Sequence, residues 1–594
     1  MNFFKTFLAS FLAVGAVAFL TILILLIVVG NIIIGAGERD KLPSLHSHTI
    51  LTMELKAEIV ENASTEPLDL DLSDLMPLPI QPPTAKMGLF QINEAIKHAA
   101  SDDKIEGIYL KLSYPIMAGW SSLRSIRESL EEFKQSGKFI YAYNVIFTEK
   151  NYYLSTVADS IFMPESGMME FNGLSVSPIF YSGLFKKLEV EPLVFRVGTF
   201  KSAVEPYIQE KMSDSSRLQT QIYLNDIWQL TANDIATARK LTPEQINEIA
   251  SNFIFGEAPE ALERGLIDQI GSEEEVERIM RAKLDLQEDR KVPTIPLKRY
   301  LRVAQQAKKY RDKRIAVIFA DGVIQMGKSG DGTAGAETLI EALRKARKDR
   351  SVKAVVLRVN SPGGNAIASD LITQEVERVA KEKPIIASMG DYAASGGYYI
   401  SAKCDKIFAQ ENTLTGSIGI FAILFNAQNM LAHKLGLTMD AVETHEHAEF
   451  GNPGLPMTPE EKRFMQRNVE RGYDKFLTVV KEGRDFETNE EVDKIAQGRV
   501  WSGKRALDLR LIDQYGDLDD AIEEAARLSG LGNDFQLILM PRPRSAFEEL
   551  IEQLTQVSAS SQVFHEELKA IETLKRHIPR SGTYALMPFI TDIH

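Results

Sequence analysis

Ile105-Glu-Gly-Ile-Tyr-Leu-Lys-Leu-Ser113 reads as a buried strand, and Val352-Lys-Ala-Val-Val-Leu-Arg-Val-Asn360 repeats its pattern. The repetition continues downstream. Tyr152-Tyr153-Leu154, Ala158-Asp159 and Ile161-Phe162 answer to Tyr398-Tyr399-Ile400, Cys404-Asp405 and Ile407-Phe408. Leu266-Ile267-Asp268-Gln269-Ile270-Gly271 answers to Leu511-Ile512-Asp513-Gln514-Tyr515-Gly516. All three matches hold a register of about 246 positions, which chance similarity would not keep. The chain therefore carries two copies of one fold. Within each copy short apolar strands alternate with amphipathic helices: 337–346 precedes the strand at Val352, and 371–381 precedes Pro384-Ile-Ile-Ala-Ser388. That alternation marks βαβ units with parallel strands, so each copy is expected to be an α/β domain.

At 594 residues the chain is too long for one hydrophobic core. Its 82 acidic and 68 basic residues give a net charge of -14, which argues against a nucleic-acid binder and is most simply explained by solubility. The single cysteine, Cys404, excludes an intramolecular disulfide and a cysteine-rich zinc site. From Thr6 to Gly37 no residue is charged, and Leu20–Val29 is apolar but for Thr21. About 20 apolar residues cross a bilayer, whereas the core of a cleavable signal peptide is only about 7–15, so a spanning anchor is expected. Lys5 before the span and Arg39 and Lys41 after it leave its orientation undecided.

These features divide the chain into an anchor at 1–45, a first copy at 46–289, a linker at 290–313, a second copy at 314–542 and a helical tail at 543–594. The linker is basic and polar, with a helical pattern around Tyr300–Tyr310, and is expected to be a solvated connecting helix. Asp69–Thr84, with four prolines from Pro77 to Pro83, is expected to be an extended loop.

Chemistry concentrates in the second copy. In Ile385-Ile-Ala-Ser-Met-Gly-Asp-Tyr-Ala-Ala-Ser-Gly-Gly-Tyr-Tyr-Ile400 a strand runs into a turn of small residues and then a helix. Small neighbours admit a substrate backbone to the Ser395 hydroxyl, and the helix start leaves N–H groups unpaired nearby. That is what a nucleophile elbow requires, although a Ser-Gly-Gly turn capping a helix would use the same residues. Leu357-Arg-Val-Asn-Ser-Pro-Gly-Gly-Asn365 follows a strand, and Gly363 and Gly364 free backbone N–H groups for a developing oxyanion, together with the Gly396 N–H. A plain glycine turn is the alternative there. His445 and His447 form an H-x-H pair without a third ligand at defined spacing, so an ordinary loop is the reading and no metal or other cofactor is implied.

Ser-Pro-Gly-Gly at 361–364, Asp-Tyr-Ala-Ala-Ser-Gly-Gly-Tyr-Tyr at 391–399 and Thr-Leu-Thr-Gly-Ser-Ile-Gly at 413–419 together resemble the long, two-copy form of the bacterial signal peptide peptidase A (protease IV) family. The likeness spans nearly the whole chain. It implies two tandem Clp protease/crotonase-like domains after an N-terminal transmembrane helix, and a serine endopeptidase that uses a lysine without any histidine. The family's lysine string resembles Val197-Gly-Thr-Phe-Lys-Ser-Ala-Val-Glu-Pro206, which assigns the general base to Lys201. Such a lysine must be neutral, so its pKa must fall from about 10.4. The resemblance also assigns Ser417 to orienting the lysine. It implies leftover signal peptides as substrates, a homotetramer, and a single-pass protein of the bacterial cytoplasmic membrane with its catalytic domains on the outer, periplasmic side.

The duplication tests the dyad separately. Aligned on the Tyr-Tyr pairs, Ser395 falls opposite Glu149; aligned on Val197 and Val442, Lys201 falls near Glu446. Each copy thus holds half a dyad, about 194 positions apart, as one site built between two domains would require. Two other readings stand beside it. A crotonase-like acyl-CoA enzyme would explain the glycines but not Ser395, Lys201 or the anchor, and an inactive membrane scaffold would not need intact serine and lysine motifs.

Overall fold

The computed structural model of the chain describes residues 45–64, 86–252, 254–306, 311–543 and 582–587. The expected membrane span at 6–37 and the proline-rich loop at 69–84 lie outside the described residues. Among the described residues no helix is long and apolar enough to cross a membrane.

Each copy is built on a parallel sheet. In the first, strands run in the order Gln269–Ile270, Ser160–Met163, Phe139–Tyr143, Ile105–Leu110, Thr49–Met53, Thr294–Pro296. In the second, Gln514–Tyr515, Lys406–Ala409, Ile385–Ala394, Val352–Ser361, Arg314–Asp321 and Gln536–Met540 follow the same order. Near-continuous apolar runs form these strands because helices or loops cover both sheet faces. Along Arg314–Asp321, Ala316, Ile318 and Ala320 enter one core, while Ile315, Val317 and Phe319 enter another. The period of two sends alternate side chains to opposite faces.

The polar positions of the repeat have a structural reason. Asp159 and Asp405 each accept a hydrogen bond from an N–H at the start of the neighbouring strand, of Ile140 and Ile385, both at 2.8 Å. Tyr152 and Tyr398 each donate a buried hydroxyl to the carbonyl of Leu266 and Leu511, both at 2.9 Å. Asp268 and Asp513 each accept from a strand N–H, of Ile161 and Ile407, and each receive the fork of an arginine, Arg239 and Arg484. Tyrosine and aspartate recur because they close the same turns in both copies.

Two segments differ from expectation. Residues 290–313 are not a solvated linker throughout: Thr294–Pro296 pairs with Thr49–Met53 as an edge strand of the first sheet, and the helix Leu297–Gln306 buries Leu297, Tyr300 and Leu301 against the first copy. Apolar residues on one face of a basic helix sufficed to dock it. In the tail expected to be helical, residues 582–586 form a strand.

The copies are joined by buried polar contacts. Arg358 of the second copy bonds Glu61 of the first at 2.8 and 3.2 Å. Asp391, just upstream of Ser395, accepts from the N–H and hydroxyl of Ser122 at 2.9 and 2.6 Å, tying the strand Ile385–Ala394 to the helix Trp120–Gln135. Asp321 accepts from the Glu61 N–H at 3.1 Å, and burial, with the Glu61 charge adding to it, pushes its carboxyl up to about 7. A carboxyl raised above its unfolded value near 3.8 supports folding at low pH and loses that contribution as pH rises through about 7. Asp321→Asn is therefore expected to raise the unfolding midpoint by a few degrees at pH 8 and by less at pH 5, as thermal melts at the two values would register.

Candidate active site

The strand Ile385–Ala394 delivers Ser395 into a sharp turn, with the helix Gly396–Ser401 beginning directly after it. Ser395 has φ 53° and ψ -112°, a region that residues with a Cβ rarely occupy. Its N–H donates to the Gly416 carbonyl and its own carbonyl accepts from the Tyr399 N–H, both at 2.8 Å, so the surroundings hold the strained backbone from both sides.

Lys201 arrives from the first copy. The strand Glu191–Arg196 pairs antiparallel with Phe421–Asn426 of the second copy, and the turn beyond it carries the lysine inward. Lys201 is fully buried, and burial holds its pKa well below the ordinary lysine value of 10.5. Its Nζ lies 2.7 Å from Ser395 Oγ, 3.1 Å from Ser417 Oγ and 3.0 Å from the Ser417 carbonyl oxygen. A neutral amine has two N–H donors and one lone pair. Ser417 Oγ donates to the Gly498 carbonyl at 3.3 Å, so it can accept from the lysine. With both lysine N–H groups directed at Ser417, the lone pair is left for the Ser395 hydroxyl proton. Ser417 itself sits at φ 47°, held by its N–H donating to the Arg499 carbonyl at 2.7 Å.

The glycine turn closes the other side. A Cβ on Gly363 would stand 2.7 Å from the Gly396 nitrogen, and one on Gly396 would stand 3.1 Å from the Gly364 nitrogen. Three expected residues thus converge, but with a difference: the Gly363 N–H donates to Ser361 Oγ at 3.2 Å. Gly363 sits at φ 104°, and Gly364 stands opposite Ala585 in the strand pairing beside it. The complementary positions carry no second site. Glu149 starts the helix Glu149–Ser155 and accepts from the Asn172 N–H at 2.8 Å, and Glu446 is exposed.

The peptidase family S49 model matches residues 132–287 and 377–532, once in each copy and over more than half of the chain. This chain belongs to peptidase family S49. Protease 4 of Salmonella typhi is 37% identical over 452 residues, covering 75% of this chain and 72% of that protein. Protease 4 of Haemophilus influenzae is 36% identical over 453 residues, 75% of this chain and 73% of the relative. The chloroplastic serine protease SPPA of Arabidopsis thaliana is 33% identical over 474 residues, 78% and 69% respectively. A solved ClpP1 chain from Listeria monocytogenes covers 35% of this chain at 14% identity with a TM-score of 0.24, too low to carry an argument.

Two residues of this S49 chain that motif reading missed also shape the site. Gly498, at φ 75°, packs on the lysine: a Cβ there would stand 2.6 Å from Lys201 Cβ and 2.7 Å from its Cα. Gln219 bridges the copies, its amide donating to the Phe200 carbonyl and Ser202 Oγ at 3.0 and 2.9 Å while its oxygen accepts from the Val500 N–H at 3.1 Å. A Gln-Gly-Arg turn at 497–499 is too common a sequence to announce this role. Gly498→Ala is expected to lower kcat by about 100-fold or more with little change in KM, because displacing a catalytic group by about 1 Å costs on that order. Steady-state kinetics on an apolar peptide would measure it.

Proposed function

We propose that this S49 peptidase is a serine endopeptidase in which Ser395 and Lys201 act as a dyad through an acyl-enzyme. The observation that carries the reading is the 2.7 Å approach of a buried lysine amine to a strained serine hydroxyl. Ser395 attacks the peptide carbonyl while neutral Lys201 takes its proton, Ser417 aims the amine, and the N–H groups of Gly364 and Gly396 hold the oxyanion in the space that Gly363 leaves open. The amine then protonates the departing nitrogen, and water hydrolyses the ester. We assign the copies to the Clp protease/crotonase-like fold on the strength of the motifs and the glycine turn. Resemblance supports leftover signal peptides as substrates. Such peptides are apolar and lie in the bilayer, where a protease tethered by residues 6–37 and facing the periplasm would meet them. A homotetramer completes the proposal, on resemblance alone.

A serine-reactive phosphonate is expected to label Ser395, read as a mass shift on the peptide containing it. Labelling at another serine would remove Ser395 as the nucleophile, and no labelling together with no hydrolysis of apolar peptides would leave the scaffold reading in its place. The pH profile is a second measurement. Only the neutral amine acts as base, so kcat/KM should rise with pH, with an inflection below the ordinary lysine value of 10.5 because burial lowers it. An inflection at that ordinary value would point to a different base.

A further inference from the structure

The edge at which the second copy's strands begin carries more positive charge than its acids pair, in a chain whose net charge is -14. Arg314–Asp321, Val352–Ser361 and Ile385–Ala394 are neighbours there, with Arg314 opposite Val352 and Val355 opposite Ile385. Neighbouring strands stand about 4.8 Å apart, so the segments that enter them share one surface. Lys383 ties these segments together, its Nζ donating to the carbonyls of Ala346 and Asp349 at 2.8 and 2.6 Å. Several nearby acids are already engaged: Glu375 by Arg347 and Arg378, Glu382 by Arg347, Asp534 by Arg311, and Asp349 by Ser351. Lys313, Lys345, Lys348, Arg350, Lys353 and Lys381 are exposed and have no acidic partner among the described residues. Two exposed acids, Asp312 and Glu341, stand near them, also without a partner.

Helix ends account for part of this charge, since the last turns of Ala336–Lys348 and Ala366–Ala380 favour cations. They do not account for Lys313, Arg350 and Lys353, which lead into strands. The chain leaves its uncharged amino-terminal run on the same side. Thr49, first in the first copy's opening strand, donates its N–H to the carbonyl of Lys104 at 2.9 Å, and Lys104 directly precedes the strand Ile105–Leu110. The helix Leu297–Gln306 returns to that edge, where the Tyr300 hydroxyl donates to Asp102 at 2.9 Å. From Gln306 to Arg311 the chain spans at most about 18 Å, and Arg314 begins the second sheet. The starting edges of the two sheets are therefore adjacent. From Gly37, where the uncharged run ends, to Leu45 the chain spans at most about 29 Å.

Building on the anchor reading, we propose that this basic edge of the second copy docks on the anionic phospholipid headgroups of the bilayer that holds residues 6–37. Charge and tether together select that partner. A cluster of about four to eight Lys and Arg beside a membrane anchor is drawn to anionic lipid. The attraction reaches about a Debye length, about 10 Å at 0.1 M salt, and the short tether lets the edge come that close. Five of the six unpaired cations are lysines, point charges without the planar fork that grips a single phosphate, so a layer of headgroups suits them better than one small anion. The strand Ile385–Ala394 runs about 33 Å from this edge to Ser395 at its far end, which leaves the catalytic groups clear of the lipid.

Lysine acetylation of the full-length chain in vesicles, read peptide by peptide by mass spectrometry, tests this. With about 30% phosphatidylglycerol in phosphatidylcholine, Lys348, Lys353 and Lys381 are expected to react about fivefold more slowly than in phosphatidylcholine alone, and to recover in about 0.5 M salt. Exposed Lys494, four residues before Gly498, should react alike in both. Lys348→Glu combined with Arg350→Glu and Lys353→Glu should erase the lipid difference at Lys381 while keeping the wild-type melting profile. A chain that floats with both kinds of vesicle yet reacts equally in them overturns this inference alone. So does a triple variant that keeps the difference, or a wild type slowed as much by inorganic phosphate without vesicles, which would mark a small-anion site. A chain that floats with neither kind overturns the anchor reading and this one with it, and leaves the dyad reading standing.

Discussion

Ser395→Ala is expected to lower kcat/KM for an apolar peptide by about 10⁴- to 10⁶-fold, and Lys201→Met by a similar factor, since losing one member of a nucleophile–base pair leaves only binding and oxyanion contributions. The reason is chemical. In the proposed dyad no acyl-enzyme forms without the hydroxyl, and without the amine the Ser395 proton loses its strongest base; Ser395 Oγ also donates to the Gly419 carbonyl at 3.4 Å, a far weaker acceptor. Because the two act as a unit, the double variant should be no slower than the worse single one. Lys201→Met adds a distinguishing readout. Burial lowers the lysine pKa, so the folded state binds fewer protons than the unfolded one below the ordinary value of 10.5, and stability falls as pH drops through that window. Replacing the amine should therefore raise the unfolding midpoint near neutral pH even as activity disappears. A Lys201→Met enzyme retaining a tenth of wild-type activity would remove the lysine from the mechanism.

The duplication was legible because its repeated residues close turns. Asp159 and Asp405, or Tyr152 and Tyr398, cannot change without orphaning a strand N–H or a buried carbonyl, so they keep register where apolar neighbours drift. The edge strand Thr294–Pro296 was not legible. It is three residues long, contains a proline, and shares no side-chain pattern with its structural counterpart Gln536–Met540. The serine could be found locally, as small residues between a strand and a helix. Lys201 could not, since its burial depends on a strand pairing between residues more than 200 positions apart, and resemblance alone singled it out. For the glycines proposed to hold the oxyanion, the residue type could be read from the sequence, but the bond from the Gly363 N–H to the Ser361 hydroxyl could not, because it follows from a side-chain direction.

Glu61→Ala should abolish most activity from a position outside the dyad. Arg358 is buried, and besides its two bonds to Glu61 it donates to Ser388 Oγ and the Met389 carbonyl, each at 2.9 Å, on the strand that leads to Ser395. Removing Glu61 leaves that guanidinium buried without its counter-charge, which costs about 3–5 kcal/mol for a broken buried pair. Against a typical domain stability of about 5–15 kcal/mol, such a loss falls where the copies meet, and each copy carries one half of the proposed dyad. The expected result is a lower denaturation midpoint together with a loss of kcat of about 100-fold or more, as misplacing a catalytic group produces. Charge without a partner, rather than the lost pair itself, is the cause, so Glu61→Met combined with Arg358→Met should recover much of both, as apolar replacements of buried pairs often do. If Glu61→Ala turns over peptide at the wild-type rate, docking at this interface does not govern the site. If the double variant is as poor as the single one, the Arg358 bonds to Ser388 and Met389 are what position the nucleophile strand.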